Sequence, residues 1–358
     1  MNRQRIPDSV LDAAHARARA RAAADWHEAD RLRAEIEAAG WKVVDSGTDF
    51  ALSPAVAPTL EEGGRVRYGS SGSVPSRLDD LPVGTATVVI VAPADASDLE
   101  AILAAIVEHA PDATQLVIVA DAPTPAERDA LEALDAGDPG APGIETEVIV
   151  TTAPLGHAAA LNAGIRRAAA ATVVVVDAAA RATGDFITPL VAELEDASVA
   201  VAGAAGVISA DLERFDDPGE SAGDVTAVTG PCLAFRRADF AARGPLDERF
   251  RTPAHLDTWW SLVLRDGSGD DADGAEPAEV AGPGQARAHR NRRAVVVPGL
   301  PIAPRTLDPD PSGSGGAADR DRLAKRSFYR LLDRFRGRLD LAGSRPGGAS
   351  ARITENRP

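Results

Sequence analysis

TVVIVAPADASDLEAILAAIVEHAPDATQLVIVAD, residues 87–121, decides the fold. It opens on an apolar run (87–92), continues through a helix-forming stretch with one apolar side (96–110), and closes on a second apolar run (115–120) that stops at Asp121. A β-branched run without polar alternation must be covered on both faces, which is the condition of a strand inside a parallel sheet flanked by helices. The pattern repeats. TEVIV (146–150), TVVVVD (172–177) and VAVAG (199–203) are further strands, with TPAERDALEALDA, LGHAAALNAGIRRAAA and DFITPLVAELED as helical connections between them. The expected class is therefore α/β, a mostly parallel central sheet with helices on both faces. In such sheets ligands bind beyond the carboxyl ends of the strands, so Asp121 and Asp177, each closing an apolar strand, become site candidates.

Composition narrows the chemistry. The 358 residues carry 38 Lys+Arg against 54 Asp+Glu, a formal charge of −16, and 44% are hydrophobic, enough for a real core. A polyanion is repelled by so acidic a body, which argues against nucleic acid as a partner. The charge is unevenly divided: zero over residues 1–40, −25 over 41–286 and +9 over 287–358. Only two of the basic residues are lysines, Lys42 and Lys325, and neither lies in GxxxxGK[ST]; no GxGxxG follows a strand. Kinase, P-loop ATPase and Rossmann dehydrogenase chemistry are excluded on those grounds. The single cysteine, Cys232, leaves no internal disulfide and no multi-cysteine zinc site. The opening MNRQRIPDSV has no apolar signal region and no apolar run reaches the ~18 residues of a membrane span, so a cytoplasmic location is expected.

The chain divides as follows. Residues 1–52 form a helical appendage, with Asp8 placed to cap its start and Gly40 its end. Residues 53–84, rich in Pro and Gly, form a linker; 85–303 form the α/β domain, with a Gly/Ala/Asp/Pro-rich insertion at 266–292. A second linker spans 304–318, a basic amphipathic helix 319–340, and a tail without structure 341–358. In that helix Leu323, Phe328, Leu331, Leu332, Phe335 and Leu339 make an apolar stripe flanked by arginines. The helix could dock its stripe on the core while its arginines meet the acidic body, lie on an anionic membrane surface, or contact nucleic acid.

The order of LGHAAALNAGIRRA (155–168), TVVVVDAAARATGDF, VTGPCLAFRRADFAARGPLDERF (228–250) and HLDTWWSLVLRDG (255–267), after the two strands quoted first, resembles the family-2-type glycosyltransferases of the GT-A fold. The resemblance covers about half the chain. It implies transfer of a sugar from a nucleoside-diphosphate donor to an acceptor hydroxyl with inversion, in the synthesis of cell-envelope or polysaccharide glycans, with a glycan or lipid-linked acceptor. By the same resemblance Asp121 holds the nucleobase; Gly156, Asn162 and Gly164 belong to the G-x(5)-N-x-G segment that closes over the nucleotide. Asp177 is the first acid of D-x-D, which holds a divalent cation, Mg2+ or Mn2+, across the phosphates. Asp257 is the general base. The second acid of D-x-D is absent, since Ala178 and Ala179 follow Asp177. A catalytically degenerate binding or scaffold protein is the alternative.

A second resemblance lies in ARAAADWHEADRLRAEIEAAGWKVVDSGTDF, which is similar to the C-terminal helical end of cysteinyl-tRNA synthetases. It suggests a weaker alternative, a tRNA-associated adaptor. The synthetase HIGH-like and KMSKS-like strings are absent, which rejects aminoacylation. His157 and His255 could line a pocket or serve as hydrogen-bonded structural residues. Trp259 and Trp260, adjacent on a helix, should point about 100° apart, with at least one in the core. Cys232 reads as a buried, inert thiol.

Overall fold

The computed structural model describes residues 6–46, 49–92, 96–125, 127–128, 131, 144–219, 223–267, 291–304 and 317–343. Two compact units emerge, Met1–Ser73 and Val74–Pro358.

In the first unit helices α1 (Asp8–Ala22) and α2 (Trp26–Ala38) precede the antiparallel strands β1 (Trp41–Ser46) and β2 (Asp49–Pro54). Val10, Ala14, Leu32, Ile36, Trp41 and Val43 form their shared core. Asp8 lies in the first turn of α1 rather than capping it; Pro7 takes the cap position and no side chain bonds there. The effective cap is Asp25, whose carboxylate accepts the Glu28 N–H at 3.1 Å. Gly40 follows α2 with φ +78°, the left-handed residue expected there. The stretch 53–84, read as a linker, contains a hairpin of β3 (Leu60–Glu62) and β4 (Arg65–Tyr68). Its turn is Gly63–Gly64, both with positive φ, the two-residue signature of a tight hairpin.

The second unit holds the α/β body. Its strands are β5 (Ala86–Val91), β6 (Thr114–Ala120), β7 (Ile144–Thr151), β8 (Thr172–Val176), β9 (Arg181–Ala182), β10 (Val199–Val207), β11 (Gly223–Val225), β12 (Ala227–Arg236), β13 (Arg293–Val296) and β14 (Ile302–Ala303). Eight of them form one sheet in the order β11, β13, β10, β12, β8, β5, β6, β7, while β14 pairs with β9. Strands β8, β5, β6 and β7 are mutually parallel; β12 runs antiparallel between β8 and β10. The expected mostly parallel sheet is present.

Alternation along β5 and β6 explains why both faces are covered. Val88, Ile90, Leu116 and Ile118 pack with Leu99, Ile102 and Ile106 of α3 (Ala96–His109), a stripe at helical spacing. On the other face Val89, Val117 and Val119 meet α4 (His157–Ile165). Contact there is so close that a Cβ on Gly164 would stand 2.5 Å from Val89 Cγ1 and 3.0 Å from Val119 Cγ2. A buried polar knot fixes the exit of α4 into β8: the Gln115 Oε1 accepts from the Thr87 hydroxyl and the Ala169 N–H, each at 2.8 Å, and its Nε2 donates to the Arg167 carbonyl at 3.1 Å.

Helices α5 (Ile187–Glu193), α6 (Arg237–Arg243), α7 (Leu256–Arg265) and α8 (Ala317–Phe335) complete the unit. The basic helix docks on the body. Leu331, Leu332 and Phe335 are buried; the Phe328 ring lies 5.3 Å from that of His255, and the Arg334 guanidinium stands 5.1 Å above the Trp259 ring. The stripe breaks at its end. Gly337, with φ +82°, stops the helix, and a following short turn, Leu339–Leu341, buries Leu341 while leaving Leu339 exposed. Both Trp259 and Trp260 are core, and their rings stack at 6.2 Å and 19°, contrary to the divergence expected of ideal helical neighbours. No helix among the described residues is long and apolar enough to cross a membrane. The insertion at 266–292, the linker at 304–318 and the tail at 341–358 lie almost wholly outside the described residues.

Candidate functional site

Three strands deliver the site to one edge of the sheet. The carboxyl ends of β5, β6 and β8 present Ala92, Asp121 and Asp177, and β12, running the other way, begins beside them. A cleft of about 240 Å³ opens at this edge, lined by Val91, Ala92, His157, Leu161, Asp177, Ala178, Ala179, Gly230, Pro253 and Asp257 among others. Of the residues singled out in the sequence, it brings together Asp177 and Asp257, and it adds His157. Asp121, Gly156, Asn162 and Gly164 are not among the described residues of its lining.

Asp121 acts on its own chain. Its Oδ1 accepts the Leu155 N–H at 2.7 Å and the Thr151 hydroxyl at 3.0 Å, and its Oδ2 accepts the Gly156 N–H at 2.9 Å. These bonds fold residues 151–156 into the turn that starts α4. Gly156 completes the turn with φ +88°, and a Cβ there would meet the Arg251 side chain, Nε at 2.8 Å. Two amides at the start of α4 are also spent: the N–H of His157 donates to the Arg251 carbonyl at 3.2 Å and that of Ala158 to the Phe250 carbonyl at 3.1 Å. Helix N-termini bind anions through free amides, and these two are not free.

Asn162 is buried and turned toward the segment after α6. Its Oδ1 accepts the Leu246 N–H at 2.9 Å, and its Nδ2 donates to the Leu246 carbonyl at 2.9 Å and to Glu248 Oε1 at 3.2 Å. Gly164 is required by the close approach of α4 to β5 and β6. Neither lines the cleft.

Asp177 is exposed at the cleft mouth, its Oδ1 accepting the Ala179 N–H at 2.9 Å and its backbone N–H held by the Pro231 carbonyl at 2.9 Å. Asp257, in the first turn of α7, faces it. Burial, reinforced by the negative charge of Asp177, pushes the Asp257 carboxyl up to about 7, although a hydrogen bond from the Gly230 amide favours its charged form. The same two residues explain the local backbone. Gly230 sits inside β12 at φ +99°, next to the register shift between Gly203 and Ala205 of β10, and the bend turns its N–H toward α7. Gly-Pro inside an apolar run, GPCLAF, was the sequence signal for this bulge. His157 is held below its ordinary value by burial, with Asp177 and Asp121 pulling the other way. His255 does not reach the cleft; it packs on Phe328. Cys232 is buried, its thiol pushed up to about 12 by burial.

The donor set does not fit a cation held by the protein alone. Among the described residues no group of three His, Cys, Asp or Glu is placed to hold a metal ion. Asp177 offers one carboxylate, with one oxygen already engaged by Ala179, and the positions where D-x-D would supply more are alanines.

Solved structures similar to this chain include GalNAc-T7 with UDP, GalNAc and Mn2+ (13% identity, TM-score 0.48, covering 70% of this chain and 48% of that one). They also include the mannosyltransferase PcManGT from Pyrobaculum calidifontis with GDP-Man and Mn2+ (18%, 0.48, 75% and 71%) and S. aureus TarS 1-349 with UDP (12%, 0.43, 70% and 72%). The chain thus spans about half the length of the GalNAc-T7 structure. No curated protein matches the sequence. Residues 87–241, a stretch that contains Asp121, His157 and Asp177 and ends before Asp257, match the family model described as Glycosyl transferase family 2.

Proposed function

We propose that the α/β body transfers a glycosyl group from a nucleoside-diphosphate sugar to an acceptor hydroxyl. The observation that carries this reading is the convergence of Asp177 and Asp257 on one cleft at the carboxyl edge of the sheet, from within and just beyond the family-2 match. A carboxyl whose proton leaves near neutral pH suits general-base work. Asp257 takes the acceptor proton as the acceptor oxygen bonds to the anomeric carbon, while the bond from that carbon to the diphosphate breaks on the opposite side and inverts the centre. Asp177 faces the departing group across the cleft. Asp121 shapes the nucleotide side through the 151–156 turn, with Gly156 at its apex, and Asn162 and Gly164 hold α4 in place behind it.

The acceptor belongs to the glycan or lipid-linked class, in cell-envelope or polysaccharide synthesis, and the protein works in the cytoplasm. The divalent cation that the resemblance implies would have Asp177 as its one D-x-D carboxylate, because alanines stand at the positions that follow. The test is turnover: the protein incubated with UDP- and GDP-sugars should release nucleoside diphosphate, and Asp257→Asn should abolish that release while leaving nucleotide-dependent thermal stabilisation intact. A second reading, a nucleotide- or sugar-binding module without catalysis, is motivated by Ala178 and Ala179 in place of further acids. It is favoured if stabilisation occurs with no turnover in the unaltered protein.

A further inference from the structure

Among the described residues that line the cleft, none is a lysine or arginine. Its polar side chains are two carboxylates, Asp177 and Asp257, and one imidazole, His157. A nucleoside diphosphate entering between two acids needs an opposing donor, and the usual candidates are committed elsewhere. The Arg251 guanidinium, nearest to the turn at Gly156, donates to the carbonyls of Leu155 and Pro154. Arg181, just past the strand end, donates to Asp98 at 3.1 Å. The amides of His157 and Ala158, which would otherwise greet an anion, donate to carbonyls of residues 251 and 250. A cation held by the protein lacks its ligand set among the described residues.

Among the described lining residues, the side-chain donor that remains is the ring of His157. It stands at the start of α4, half-buried, and lines the cleft together with Asp177. Its backbone is pinned on both sides, by the Arg251 carbonyl and by the Asp121-bonded turn, so the ring is presented from a fixed point. We infer that His157 donates the hydrogen bond that holds the diphosphate of the donor, and that the cleft therefore binds a nucleoside diphosphate without a metal ion. The inference rests on the proposed glycosyl transfer and adds to it the group that meets the phosphates. An imidazole N–H directed at a phosphate oxygen is a charge-assisted bond, among the stronger contacts a single side chain can make.

The experiment is calorimetric titration of the full chain with UDP and GDP, in EDTA and again in Mn2+, for the unaltered protein, His157→Ala and His157→Gln, with uridine and guanosine as phosphate-free controls. We expect binding in EDTA that Mn2+ tightens less than roughly threefold. His157→Ala should weaken diphosphate binding about 10- to 100-fold, the loss of a hydrogen bond to a charged group, without changing nucleoside binding. His157→Gln, which keeps an N–H donor, should recover most of it. Binding that requires Mn2+, or equal affinity in the His157→Ala protein, overturns the inference and leaves the proposed transfer standing. Equal losses of nucleoside and diphosphate affinity in both variants also overturn it, since they mark a structural role. Failure of the unaltered protein to bind either diphosphate in either buffer removes the proposed function itself, and this inference with it.

Discussion

Asp121 and Gly156 lie 35 residues apart and are joined directly, the Gly156 N–H donating to Asp121 Oδ2 at 2.9 Å while the adjacent Leu155 N–H donates to Oδ1 at 2.7 Å. One carboxylate at the end of β6 therefore sets the turn from which α4, and with it His157, projects. The acid expected to touch a nucleobase is first of all a clamp on backbone.

Asp121→Asn should loosen that clamp. The amide presents an N–H where Gly156 needs an acceptor, so one charge-assisted bond is replaced by a clash of donors. We expect a loss of about 1–3 kcal/mol in urea unfolding, and weaker nucleotide binding than the stability change alone accounts for.

Asp257 makes stability depend on pH with a definite sign. Its folded value, about 7, lies above the ordinary 3.8, so the folded state binds the proton more tightly than the unfolded state between those limits. Its contribution is fully present below about pH 4 and is lost as pH rises toward 7. Asp257→Asn should flatten that slope and raise stability at pH 8 by about 2–4 kcal/mol relative to the unaltered protein, as read by urea unfolding across the range. Turnover, if Asp257 is the base, should rise with pH through the same region and vanish in the variant.

Gly164→Val tests the packing of α4 on the sheet. A Cβ alone would lie 2.5 Å from Val89 Cγ1, so the added branches force either helix or strand to move. Overpacking should cost about 1–3 kcal/mol, partly offset by the helix propensity gained, and should lower the melting temperature.

Arg265→Leu tests the anchor of the last turn. The buried Arg265 guanidinium donates through Nη1 to the Thr226 carbonyl at 2.5 Å and the Leu341 carbonyl at 2.8 Å, and through Nε to the Arg292 carbonyl at 3.0 Å. Three acceptors lose their partner at once. Destabilisation of about 3 kcal/mol or more should follow, with faster amide exchange at residues 339–343.

Much of the body was legible because it rests on local signals. Unbroken β-branched runs name the parallel strands, and an acid that ends such a run, as at Asp121 and Asp177, marks the sheet edge where the candidate cleft opens. The partners that give these residues their roles were not legible, because they are remote. Asn162 is consumed by Leu246, 84 residues away, and nothing near Asn162 announces it. The apolar stripe of α8 was read through Leu339 on a continuous helical period, but Gly337 breaks the phase and Leu341 takes the buried place. Gly63–Gly64 carried a turn signal that the surrounding Pro and Gly masked. His157 was visible as one histidine among six; only the lining of the cleft sets it apart from His255.

The docking of α8 on α7 also bears on biosynthesis. Helix α7 carries Asp257 on its inner side and receives Phe328, Arg334 and the Arg265-bound Leu341 on the other. Its outer wall is thus supplied by residues translated about sixty to eighty positions after its own last turn. Until that stretch is made, the Trp259 face that Arg334 covers and the Arg265 donor that Leu341 engages lack those partners, so a chain that stops before residue 328 should leave the outer side of α7 incomplete.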